Sequence, residues 1–135
     1  MTTTILVVDD NPTNLKLVSY VLEAEGHSVL RASNAQEAQC VLQRSRPAVI
    51  LMDIQMPGMD GLSFTRLLKE DPAHRDIRIV ALTSFAMKGD EQKARAAGCD
   101  GYITKPINTL TFPQQIAAFL PVNLISRKGR ESSDR

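Results

Sequence analysis

The chain has 135 residues, a formal net charge of +1, 43% hydrophobic and 23% charged residues, which suits one globular domain with its own core. A balance so close to neutral argues against nucleic-acid or anionic-membrane binding driven by bulk charge, and 4% aromatics with no Trp argues against a base-stacking platform. No apolar run approaches the roughly 20 residues of a spanning helix.

The start, Met1-Thr2-Thr3-Thr4-Ile5, has no basic segment before its short apolar run and does not resemble a secretory signal. Cys40 and Cys99 form neither a disulfide framework nor a CxxC pair, so a reducing cytoplasm is the expected setting. His27 and His74 lack the spacing of a zinc site.

Short apolar runs alternate with segments of helical period. Ile5–Val8 is the first predicted strand and ends in Asp9-Asp10. Asn11-Pro12 suits an N-cap followed by the first helical position; Leu15, Val18, Val21 and Leu22 repeat on one face, and Gly26 closes the helix. Ser28–Ala32 is more polar and is expected near a sheet edge. Ser33 and Asn34 can cap a second helix, with Gln36 and Glu37 three residues on and Ala38, Val41 and Leu42 on its buried face. Ala48–Met52 is apolar throughout, as a strand buried between two helix layers should be, and leads into Asp53.

A Pro/Gly loop over 56–61 precedes a third helix carrying Leu62, Phe64, Leu67 and Leu68, stopped near Asp71-Pro72. Ile77–Leu82 predicts a fourth strand ending at Thr83, and residues 88–97 a weaker helix ended by Gly98. Gly101–Thr104 predicts a fifth strand before Lys105-Pro106. Leu110, Ile116, Ala117 and Leu120 mark a last helix, in which Pro113 must fall in the first turn.

Five βα units in strict alternation argue for an α/β, doubly wound, five-stranded parallel sheet of flavodoxin-like order 2-1-3-4-5. Residues 1–120 are expected to form the domain, and the polar stretch 121–135 a disordered tail.

Ligands of such sheets bind beyond the carboxyl ends of the strands. This order brings Asp9 and Asp10, Asp53, Thr83 and Lys105 to that edge, from four different strand ends. Gathered carboxylates must be neutralised by protons or by a cation, and oxygen-only ligands with few protein groups favour magnesium. With a metal in place, the set suits phosphoryl transfer to a carboxylate. Lys105 and the metal would neutralise the phosphoryl oxygens, Thr83 would donate a hydrogen bond, and Asp53, on the most buried strand, would attack. Each residue alone has an ordinary alternative: helix-start acids for Asp9 and Asp10, a turn for Asp53, a strand-end threonine, a solvated lysine. Their joint occurrence favours the site.

The stretches ILVVDDN (5–11), VILMDIQMPGMDG (49–61), IVALTSFAMKGDE (79–91) and AGCDGYITKPI (97–107) closely resemble the receiver domains of two-component response regulators, with a CheY-like fold. The likeness runs from about residue 4 to 120 and is strongest to single-domain receivers of the DivK type and to receivers of hybrid histidine kinases.

The resemblance implies that Asp53 is phosphorylated. It implies that Asp10 binds Mg2+ directly, Asp9 mainly through water, and Gln55 through its carbonyl. Thr83 would bond the phosphoryl group, Lys105 would pair with it, the Lys105-Pro106 peptide would be cis, and Tyr102 would turn inward with Thr83. Phe85 and Gln55 flank the expected path of attacking water, and Phe85 is expected to slow dephosphorylation.

The implied donor is a histidine kinase or histidine phosphotransfer protein, docking on α-helical residues Asn14, Leu15 and Val18. The implied output is a changed affinity for a downstream protein target through the helix 4–strand 5–helix 5 face, with Lys88, Asp90, Gln92 and Lys93 exposed on it.

On this reading the chain is a stand-alone signalling switch, catalysing only its own phosphorylation and dephosphorylation, with no direct nucleic acid or membrane contact; monomer and weak homodimer both remain open. A dehalogenase-like phosphatase would need a carboxylate where Gln55 stands, and a nucleotide-binding domain would need a Gly-rich loop after the first strand.

Overall fold

The computed structural model describes residues 3–54, 61–83, 90–104 and 107–120. Within these segments the chain alternates β1 (Thr4–Val8), α1 (Pro12–Ala24), β2 (Ser28–Ala32), α2 (Ala35–Leu42), β3 (Val49–Asp53), α3 (Gly61–Glu70), β4 (Arg78–Thr83), α4 (Asp90–Ala97), β5 (Gly101–Thr104) and α5 (Phe112–Ala117). The strands form one parallel sheet in the order β2-β1-β3-β4-β5, as the alternation predicts. The polar stretch expected from 121 onward lies outside the described residues.

Strand periodicity of two sends successive side chains to opposite faces. Leu6, Val8, Ile50, Met52, Ile79 and Ala81 therefore meet α2, α3 and α4 on one face. Ile5, Val7, Leu51, Val80, Leu82 and Ile103 meet α1 and α5 on the other. Both faces being covered, β1 and β3 can be apolar almost throughout, and Ile5 to Val8 and Val49 to Met52 are all fully buried.

The helix starts follow local chemistry. Asn11 Oδ1 accepts from the N–H groups of Thr13 and Asn14, and Pro12 takes the first turn, where no N–H is needed. Gly26 adopts φ +93°, the left-handed conformation that ends α1. At α2, Asn34 Oδ1 accepts from Glu37 N–H, while the Glu37 carboxylate reaches back to the N–H and hydroxyl of Ser33. That reciprocal pair holds the Glu37 carboxyl below its usual range, the Ser33 N–H being the main cause.

Two expectations need correction. Leu110 and Leu120 are not part of the last helix: α5 spans Phe112–Ala117, Leu110 is 86% exposed in the turn before it, and Leu120 is buried just past its end. Asn108 sets that turn, accepting from Leu110 N–H through its side chain and from Phe112 N–H through its carbonyl. The apolar anchors of α5 are Phe112 and Ile116, both fully buried, with Pro113 in the first turn. Val18, expected on a docking surface, is only 1% exposed and packs with Val21 and Leu22 against the sheet.

At the amino edge of the sheet, Lys69 at the end of α3 ties three segments together. Its ammonium donates to the carbonyls of Arg75 and Ile77 and to Asp100 Oδ2, at 3.2, 2.9 and 3.0 Å. Asp100 in turn accepts from Ile79 N–H, fixing the turn before β5 to the start of β4.

Candidate functional site

The registers bring the functional strand ends together. Val8 pairs with Met52, so the next residues, Asp9 and Asp53, emerge side by side. Asp53 pairs with Leu82, so Thr83 emerges one step further on the neighbouring strand, and Thr83 pairs with Thr104 at the end of β5. The carboxyl ends of β1, β3, β4 and β5 thus form one edge, as the strand order demands.

The carboxylate oxygens of Asp9, Asp10 and Asp53 lie within 4.8 Å of one another. Asp9 is fully buried, Asp53 is 3% exposed, and Asp10 faces solvent, so the cluster opens outward on one side. Asp9 Oδ1 accepts from Asn11 N–H at 2.9 Å, and Asp9 N–H donates to Ala32 O at 3.1 Å, which fix the first acid at both ends. Asn11 thus orients an acid of the cluster as well as capping α1, a double role that the sequence pattern Asp-Asp-Asn-Pro does not reveal by itself.

Thr83 is fully buried. Tyr102 is partly buried on β5 and packs against the cluster formed by α2, α3 and α4, two residues before Thr104. Of the other expected site residues, Gln55, Phe85, Lys88, Lys105 and Pro106 lie outside the described residues; Asp90 is the first residue of α4, and Gln92 and Lys93 are exposed on that helix.

The donor set consists of carboxylate oxygens alone, which fits a hard divalent cation rather than zinc or copper. Oxygens on opposite sides of one magnesium ion lie about 4.2 Å apart, given bonds of about 2.1 Å. A cluster spanning 4.8 Å is of that scale. The shortage of protein ligands would leave coordination positions for water or for a phosphoryl oxygen.

Gly61 is the residue whose role the sequence understates. It stands at the start of α3, packed so tightly on the end of β3 that an added Cβ would lie 2.7 Å from Ile54 Cα and 2.9 Å from Met52 Cγ. Its carbonyl also accepts from the buried Thr65 hydroxyl at 2.7 Å. A Gly after Met59-Asp60 is legible as a turn, whereas this approach of helix to strand is a tertiary fact.

No helix among the described residues is long and apolar enough to cross a membrane. The response regulator receiver domain family matches residues 5–117. The chain is 42% identical over 120 residues to the polar-differentiation response regulator DivK of Brucella anthropi, covering 89% of this chain and 98% of that protein. Among solved structures it is similar to the chemotaxis protein CheY4 of Vibrio cholerae, with TM-score 0.84, 28% identity, and 89% and 100% of the two chains covered. It is also similar to the receiver domain of the sensor histidine kinase PA1611 of Pseudomonas aeruginosa, solved with a magnesium ion in its active site cleft; here the TM-score is 0.79, the identity 30% and the coverage 88% and 98%.

Proposed function

The chain belongs to the response regulator receiver domain family of two-component signalling, and on that premise we propose that Asp53 is its phosphoacceptor. The observation that carries this is the gathering of Asp9, Asp10 and Asp53 within 4.8 Å at the sheet's carboxyl edge, beside the buried Thr83. Residues 1–120 form the receiver domain, and the protein works in the cytoplasm.

Asp9, Asp10 and Asp53, with the carbonyl of Gln55, would hold Mg2+. Bound there, the ion supplies positive charge for the phosphoryl oxygens. An Asp53 carboxylate oxygen attacks the phosphorus of a phosphohistidine, an acyl phosphate bond forms, and the bond to the donor nitrogen breaks. Burial of Asp53 in the sheet keeps the nucleophile in one orientation. Thr83 donates its hydroxyl hydrogen to a phosphoryl oxygen, and Lys105 pairs with another. The donor is a histidine kinase or a histidine phosphotransfer protein.

The output is a population shift. Thr83 moves toward the new anion, Tyr102 on the adjacent strand turns into the space, and the face of α4, β5 and α5 changes affinity for a downstream protein target. Coupling of this kind is worth about 1–3 kcal/mol. The chemistry is confined to the protein's own phosphorylation and dephosphorylation.

Incubation with acetyl phosphate and Mg2+, followed by intact-mass spectrometry, tests the assignment. The expected result is one phosphoryl adduct on the wild type, none on Asp53→Asn, and none when the metal is chelated. A wild type that stays unmodified, or an Asp53→Asn variant modified to the same extent, overturns it.

A further inference from the structure

A groove on the α2–α3 face, remote from the acidic cluster, pairs an apolar slot with a basic end. The slot, about 220 Å3, has an apolar half of Leu42, Phe64, Leu67 and Leu68 and a polar half of Gln39, Gln43, Asp71 and His74, with Leu67 46% exposed on its rim. A second cleft, about 320 Å3, is lined by Arg44, Ser45 and Arg46 after α2 and by Ala73 beyond α3. Leu42, Gln43 and His74 line both, so the two are continuous.

Among the described residues no acid pairs with Arg44 or Arg46. Arg46 donates one guanidinium N–H to Ala73 O and keeps its other donors. The one carboxylate lining the groove, Asp71, is engaged internally: it accepts from Ala73 N–H at 2.9 Å and meets His74 Nδ1 at 2.8 Å. The basic end therefore offers two guanidiniums to an incoming anion, while the slot offers apolar side chains.

We propose that this groove docks an acidic amphipathic helix of a partner protein. Small-molecule sites enclose most of their ligand, whereas both clefts are open to solvent, the basic one more so than the slot, as a helix-in-groove contact requires. Apolar side chains of the partner, one turn apart, cover Leu67 and enter the slot beside Leu42 and Leu68. Its carboxylates meet Arg44 and Arg46, for which planar, bidentate pairing is the favoured geometry. In a parallel α/β fold the ends of α2 and α3 lie at the amino edge of the sheet, opposite Asp9 and Asp53. The contact is therefore a tether that does not depend on phosphorylation.

The test is titration of the 15N-labelled full chain with a synthetic helical peptide carrying Leu at i, i+3, i+4 and i+7 and Glu on its flanks. Expected are amide shifts confined to 39–46 and 64–75, unchanged by prior treatment with acetyl phosphate, and an affinity loss of about tenfold or more in Arg44→Glu and in Leu67→Glu. Both side chains are exposed, and circular dichroism checks that the variants stay folded. Equal binding of the same peptide with Lys in place of Glu, shifts mapping elsewhere, or laurate filling the groove where the acidic peptide does not would overturn the proposal.

Discussion

Gly61 sits against the carbonyl of Asp53 with no room for a side chain between them. Helix α3 therefore starts in contact with the backbone of the strand that presents the central acid. Gly61→Ala must push α3 off β3 or displace the end of β3. Overpacking of this kind costs about 1–3 kcal/mol, and urea unfolding with an unchanged m-value should read that loss. Because the displaced backbone is that of Asp53, phosphorylation by acetyl phosphate should slow as well.

Metal binding should be readable without any chemistry at the site. A ligand that binds only the folded state stabilises it by mass action, reaching about 2.7 kcal/mol at a hundredfold excess over its dissociation constant. Added Mg2+ should raise the melting temperature of the wild type. Asp10→Ala and Asp53→Asn each remove one of the clustered carboxylates and should largely abolish the rise. An equal rise in all three proteins would place the ion elsewhere.

His27, in the turn between α1 and β2, is partly buried, and that burial lowers its basicity below the usual 6.5 despite the opposing charge of Glu25. The folded state then binds this proton less readily than the unfolded chain. Stability from this group is complete above about pH 6.5 and falls as pH drops below it. Glu37 and Asp71, both lowered by hydrogen bonds, contribute stability that is lost only in the more acidic range below their usual values of 4.5 and 3.8. The denaturation midpoint of the wild type should therefore fall relative to that of His27→Gln as pH drops from 7 to about 5.

The two thiols should behave differently. Cys40 is exposed on α2, whereas Cys99 is 6% exposed and burial pushes its thiol above the ordinary value. Reaction with a disulfide reagent needs an accessible thiolate. One equivalent should react rapidly in the native protein, and Cys40→Ser should remove it; both thiols should react in denaturant.

Much of this was legible in the residues because local and tertiary signals agree. Asn11-Pro12 and Gly26 bracket α1 by capping chemistry alone, and the unbroken apolar runs of β1 and β3 announce strands covered on both faces. The strand order then gathers Asp9, Asp53 and Thr83 without any local motif. Leu110 was misread because a helical period cannot show where the backbone begins to coil: the Asn108 turn occupies the positions that Leu110 would need. For Val18 the periodicity was the better guide: it puts Val18 with Val21 and Leu22 on the face that packs against the sheet, whereas the docking role came from the resemblance alone. Gly61 was unreadable beyond its turn propensity, since the atoms it must avoid come from another strand.

Lys69 gives helix α4 a fixed heel. Its ammonium grips Asp100 just past α4, and its stem packs where a side chain on Gly98 would have to sit, 2.7 Å from the missing Cβ. The opposite end of α4 points toward the sheet edge that carries Thr83. A rod anchored at one end swings rather than slides, and eight helical residues make an arm of about 12 Å. A displacement beside Thr83 would thus reach the exposed side chains Gln92 and Lys93 as a tilt about Gly98, where φ is +109°, its size set by their distance from that pivot.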